Sequence, residues 1–174
     1  MLATTEGKGK KRRRWLRLFP LVLLLIACAN IPLFPSLVIR DAKSNELLWS
    51  GRIAEGAAFG LRWTHSIHRS WIEEKYRIRD GQIILSEMSF HDYGIGMENE
   101  LQPGEQLVMQ DGHFRILHMN RPFPALHLRI GQVRADHTLL FSGTEIPLAT
   151  IHTPGSAITL QVEKRSLLSE MGGY

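Results

Sequence analysis

The chain has 174 residues, with 21 Lys and Arg against 17 Asp and Glu, 44% hydrophobic residues, eight histidines and one cysteine, Cys28. A single cysteine excludes a disulfide scaffold and the cysteine-rich zinc modules, and the length suits one domain that buries about two-thirds of its unfolded surface. Only one stretch is apolar enough to be considered as a span, which excludes a polytopic membrane protein, and no Walker-type or nucleotide-binding motif is present.

The net charge of +4 is unevenly placed. Residues 1–27 hold Lys8, Lys10, Lys11, Arg12, Arg13, Arg14 and Arg17 against one acid, Glu6, which leaves 14 basic and 16 acidic residues from Cys28 onward. A domain with that balance has no electrostatic footprint for phosphate backbones, so nucleic acid is excluded as a partner.

Residues 1–35 run from a polar start through the basic cluster into the apolar stretch Leu18–Ala29, the order of an export signal or membrane anchor. The basic cluster stays on the cytoplasmic side, which places the rest of the chain outside the cell membrane. Leu25-Ile26-Ala27-Cys28 is similar to a lipoprotein signal-peptidase site, with Cys28 as the lipid-bearing residue. The competing reading is an uncleaved anchor running to about Phe34, at the lower length limit of about 17 residues for a span. Arg12-Arg13-Arg14-Trp15-Leu16-Arg17 is also loosely similar to a twin-arginine export signal.

From Ser36 on, short runs rich in Ile, Val, Leu, Phe, Trp and Tyr alternate with Gly, Asp, Asn and Pro at period two. This predicts strands near 36–41, 45–50, 57–66, 71–79, 82–92, 106–110, 113–118, 125–130, 138–141, 144–149 and 156–163. Asp80-Gly81 and Asp111-Gly112 are two-residue hairpin signals, with Ser142-Gly143 a weaker third. The expected fold is all-β, an antiparallel β-sandwich or partly closed barrel over residues 36–165, followed by a frayed tail at 166–174.

Period two also places ionisable groups on apolar faces. Phe59, Leu61, Trp63 and His65 share one face of their strand, and Ile72, Glu74, Tyr76 and Ile78 share one face of the next. A two-residue loop at Asp80-Gly81 pairs Arg79 with Gln82 and, in unbroken register, sets Glu74 opposite Glu87. Two carboxylates about 5 Å apart repel unless a proton, a cation or strong donors intervene. His65 as imidazolium, an arginine or a metal held by His65, Glu74 and Glu87 are the candidate compensations. The opposing reading is a one-residue bulge that sends one of the two glutamates to solvent.

His68 and His91 lie near this cluster in sequence, whereas His113, His118, His127, His137 and His152 read as isolated residues. Ser66 beside His65 faces the other way in a strand, so no Ser-His nucleophile pair forms. Tyr93-Gly94-Ile95-Gly96-Met97 lacks the third glycine and the helix of a dinucleotide loop, and Gly94 and Gly96 read as positions of close backbone approach or anion contact.

The segment Trp63-Thr-His65-Ser66 through Glu74-Lys-Tyr76, followed by Glu87-Met-Ser-Phe90-His-Asp-Tyr93-Gly94-Ile-Gly96-Met97, resembles the bacterial family called domain of unknown function 1850. The family pattern is aromatic-x-His-Ser, Glu-x-Tyr, then a strand with Glu and Phe ending in Phe-Gly-x-Gly and commonly Pro. Tyr93 stands here for the Phe and Glu98 for the proline. The resemblance covers about residues 36–165 and implies His65, Ser66, Glu74, Tyr76, Glu87, Phe90, Gly94 and Gly96 as motif residues. It further implies a small exported or anchored protein associated with TAXI-type tripartite ATP-independent periplasmic (TRAP) transporters.

The resulting expectation is a membrane-tethered, extracytoplasmic, non-catalytic accessory domain without a cofactor, docking on a transporter permease or its solute-binding protein. The alternatives are a metal- or carboxylate-dependent envelope hydrolase built on His65, Glu74 and Glu87, and a binder of small carboxylates seated near Gly94 and Gly96.

Overall fold

Alternating apolar and polar residues need a sheet that buries one face, and the chain supplies two such sheets. The computed structural model describes residues 19–64, 70–91, 101–132 and 136–171. In chain order its strands are β1 (Phe34–Asp41), β2 (Leu47–Arg52), β3 (Ala58–Thr64), β4 (Trp71–Arg79), β5 (Gln82–Phe90), β6 (Gln106–Gln110), β7 (His113–Leu117), β8 (Arg121–Phe123), β9 (Ala125–Arg129), β10 (Thr138–Phe141), β11 (Thr144–Pro147) and β12 (Ala157–Arg165). Every pairing is antiparallel. The smaller sheet runs β2-β1-β12-β9, and the larger runs β11-β10-β3-β4-β5-β7-β6, with β8 also paired to β5.

The two sheets make the expected β-sandwich. Its core joins Leu37, Ile39, Ile158 and Leu160 of the small sheet to Phe59, Leu61, Ile72, Ile78, Ile83 and Phe90 of the large one. All three expected hairpin turns form. Asp80 and Gly81 take φ of 53° and 71°, Asp111 and Gly112 take 53° and 79°, and Ser142 and Gly143 take 50° and 79°. Positive φ at both turn positions gives the primed turn whose twist matches that of the flanking strands.

Three boundaries depart from the sequence pattern. β8 escapes it because Arg-Pro-Phe-Pro looks like a loop, yet Pro122 is tolerated on a strand bonded only to β5. The strand expected at 144–149 stops at Pro147, which precedes the single turn α2 (Leu148–Ile151) and drives Leu148 fully into the core. The tail expected to fray holds α3 (Leu167–Met171), whose start is capped by the Ser166 hydroxyl accepting the Ser169 amide at 3.2 Å.

The sandwich occupies Pro35–Glu163 as one unit, and the chain before Pro35 belongs with Lys164–Gly173 to a second. In that second unit residues 19–29 form a helix, α1. No helix among the described residues is long and apolar enough to cross a membrane.

Candidate functional site

The sites turn on a single irregularity in β5. From the Asp80-Gly81 turn the β4–β5 register runs as expected through Arg79–Gln82, Ile78–Ile83 and Tyr76–Leu85, then slips by one so that Lys75 meets Glu87 and Glu74 meets Met88. The extra residue is Ser86, whose hydroxyl donates to the Lys75 carbonyl at 3.0 Å and whose own carbonyl accepts the Met119 amide at 3.1 Å. The slip coincides with a change of neighbour, since Ile83–Leu85 pair with β8 and Met88–Phe90 pair with β7. The juxtaposition of Glu74 and Glu87 expected from unbroken register therefore does not form. A bulge reverses the facing of every later β5 residue.

Glu74 stays on the inner face of β4, opposite Leu61. The Tyr76 hydroxyl donates to its Oε2 at 2.8 Å, and the Trp63 indole also hydrogen-bonds the carboxyl. Burial outweighs both donors and pushes the Glu74 pKa above the ordinary carboxylate value. Burial and the adjacent Glu74 likewise push the Tyr76 phenol up, while Phe59 stacks on the Tyr76 ring at 5.1 Å. Trp63 in turn stacks on His137 at 6.2 Å, and burial lowers that imidazole's pKa. His137 Nδ1 accepts the Gly131 amide at 3.2 Å, which fixes a neutral tautomer.

Glu87 faces the other way, within a belt of charge across the outer face. Lys75 Nζ lies 3.2 Å from its Oε1, and Arg115 Nε donates to the same oxygen at 2.9 Å. Burial alone would raise the Glu87 carboxyl, but the hydrogen bonds from Arg115 and Lys75 prevail and hold it below the ordinary range. Arg115 also donates to Gln110 at 2.6 Å, and Arg62 pairs with Glu145 on the same face. Beside this belt lies a hollow of about 410 Å³, bordered by Gly60, Glu73, Lys75, Phe141 and Glu145.

Of the expected site residues, Glu74 and Tyr76 are brought together and Glu87 is separated from them by the thickness of the sheet. Phe90 is fully buried and stacks on Phe114 at 5.6 Å. Cys28 is an exposed free thiol on α1. His65, Ser66, Gly94 and Gly96 lie outside the described residues. No group of three or more His, Cys, Asp or Glu able to hold a metal occurs among the described residues. With Glu74 and Glu87 on opposite faces, the expected three-ligand centre of His65, Glu74 and Glu87 has no common point.

Sequence pattern missed two features. Arg121 and Glu105 form a buried bidentate pair at 2.7 Å through both contacts, with Glu105 also accepting the Gln102 amide at 2.9 Å. The only cue was an arginine in a segment read as loop. Trp71, His91 and His113 converge at one end of the large sheet. Their alignment depends on the slipped register, so no local spacing announces it.

The molecule is thus an antiparallel β-sandwich whose large sheet carries a buried carboxyl with a raised pKa on its inner face and paired charges on its outer one. Residues 59–148 match the family model described as Domain of unknown function (DUF1850), and the chain belongs to that family. No curated protein and no solved structure matches it.

Proposed function

We propose that this protein is a membrane-tethered, extracytoplasmic accessory domain that acts by docking rather than by catalysis. The observation that carries the reading is α1. Phe19, Leu21, Val22, Leu23, Leu24, Leu25 and Ile26 are all exposed on it, with Phe19 at 64% and Leu25 at 60%. Each such side chain recovers roughly 1.5–3 kcal/mol when fully buried, so a helix apolar around much of its circumference is out of place in water. The basic run that precedes it favours the cytoplasmic side, which leaves the sandwich outside. The described part of α1 is too short to span. The tether is then either a lipid on Cys28 or an anchor longer than the described helix.

The proposed partner is a transporter permease or its solute-binding protein, of the TAXI-type TRAP class suggested by the family resemblance. Tethering confines the domain near such a partner and lets a modest contact suffice through raised effective concentration. The outer face of the large sheet, with its belt of Arg62, Glu145, Lys75, Glu87 and Arg115, supplies the polar surface typical of a reversible interface.

The test is purification of the tagged full-length protein from mildly solubilised native membranes, with mass spectrometry of co-eluting proteins and of the N-terminal peptide. Stoichiometric recovery of a transporter subunit is the expected result, and a diacylglycerol-modified Cys28 identifies the tether as lipid. Recovery of the protein alone in the soluble fraction overturns the proposal.

A further inference from the structure

Three rings meet on the outer face where β4 begins and β5 ends. Trp71 opens β4, His113 opens β7 and His91 directly follows β5. The slipped register causes the meeting: Phe90 stands opposite Phe114 on the inner side, so His91 and His113 become neighbours on the outer side. Their ring centres are 4.3 Å apart with planes inclined by 54°. Trp71 backs both, at 5.1 Å from His113 and 6.5 Å from His91.

His113 Nδ1 is buried and has no hydrogen-bond partner. Folded proteins seldom leave such an atom unsatisfied, and a neutral imidazole with a free lone pair is a metal ligand. The nearest cation along β7, Arg115, is already engaged by Glu87 and Gln110.

We propose that His91 and His113 form a two-imidazole site for a divalent d-block cation of the zinc class. Two imidazoles sharing one tetrahedral ion at metal–nitrogen distances of about 2.0–2.1 Å hold their ring centres about 5 Å apart, which a small rotation of these rings provides. Neutral nitrogen ligands suit zinc, nickel and copper, whereas magnesium and calcium require oxygen. The ion bridges the end of β5 to the start of β7, and water completes its coordination. The site lies on the same outer face of the large sheet as the charged belt.

The test titrates the full-length protein in detergent with Zn²⁺ by calorimetry and uses Cu²⁺ as a paramagnetic probe. His91→Ala removes an exposed ligand, and His113→Phe keeps a ring against Trp71; circular dichroism confirms folding. His127→Ala, on β9, is the control. One equivalent of zinc is expected, with binding weakened roughly tenfold or more in either ligand variant and unchanged in the control. The copper spectrum should report two coordinated imidazoles in the natural protein and one in each ligand variant. A folded natural protein without saturable zinc binding, or His91→Ala binding as the natural protein does, overturns the proposal. If His113→Phe fails to fold, His91→Ala alone decides.

Discussion

Glu74 and Glu87 are partly buried carboxylates on adjacent strands of one sheet, and the fold treats them oppositely. Among the described residues Glu74 meets the neutral donors Tyr76 and Trp63, and burial prevails over them to raise its pKa. Glu87 meets Lys75 and Arg115, so ionisation is favoured although burial resists it. Depth and partner charge push in opposite directions, and burial prevails at the deeper Glu74 while the cations prevail at the shallower Glu87.

A third carboxylate sharpens the contrast and predicts the largest effect. Glu105 is buried like Glu74 but paired with a cation, its side chain 2% exposed against 9% for Arg121. Arg121→Ala removes both bidentate donors from a buried carboxylate and should cost about 3–5 kcal/mol in urea unfolding. A loss below about 1 kcal/mol would show that water reaches Glu105.

Next in size is Glu74→Ala, expected to destabilise by about 1–3 kcal/mol because the Tyr76 hydroxyl and the Trp63 indole lose their acceptor. Glu74→Gln retains an acceptor without the burden of a buried charge and should be at least as stable as the natural protein at pH 8. If the glutamine variant is instead as damaged as the alanine one, the neutral-acid account fails.

pH supplies the third comparison, with opposite signs. The raised Glu74 pKa means that the folded chain holds a proton which the unfolded chain gives up near 4.5, so this group's contribution falls as pH rises from about 4.5 through its folded value. The lowered Glu87 pKa does the reverse: its contribution is present above about 4.5 and is lost as pH falls through its folded value. Unfolding curves from pH 3 to 8 should therefore flatten on the alkaline side in Glu74→Gln and on the acid side in Glu87→Gln. Identical profiles in the two variants would break the comparison.

The smallest effect belongs to Glu87→Ala at neutral pH. Its pair with Lys75 is open to solvent, and such pairs contribute below about 1 kcal/mol. The loss should shrink further in 1 M salt, where the screening length is about 3 Å. A salt-independent loss of several kcal/mol would place Glu87 in the core.

These differences trace what was legible in the sequence. The Asp-Gly pairs announced their turns because both positions need positive φ, and period two placed Glu74 inward because both depend on residues within a few positions. Glu87 was not legible. Its facing is set by Ser86, and Ser86 is held out of register by Met119 and by the exchange of β8 for β7 along β5, contacts more than twenty positions away in chain order. The same long-range cause hid the meeting of His91 with His113. β8 was hidden by Pro122, a residue that argues against strands everywhere except at positions spared a ladder bond.

Ser86 acts as a phase shifter in a two-beat pattern. Were Ser86 drawn into the ladder, every side chain from Glu87 to His91 would invert, turning Glu87 toward Glu74 and His91 toward the side where Phe90 now packs. Deleting Ser86 would instead restore the even beat and leave Lys75 opposite Glu87 and Glu74 opposite Met88. The bulge at Ser86, rather than the count of residues between the Asp80-Gly81 turn and Phe90, is what keeps the two carboxylates on opposite sides of one sheet.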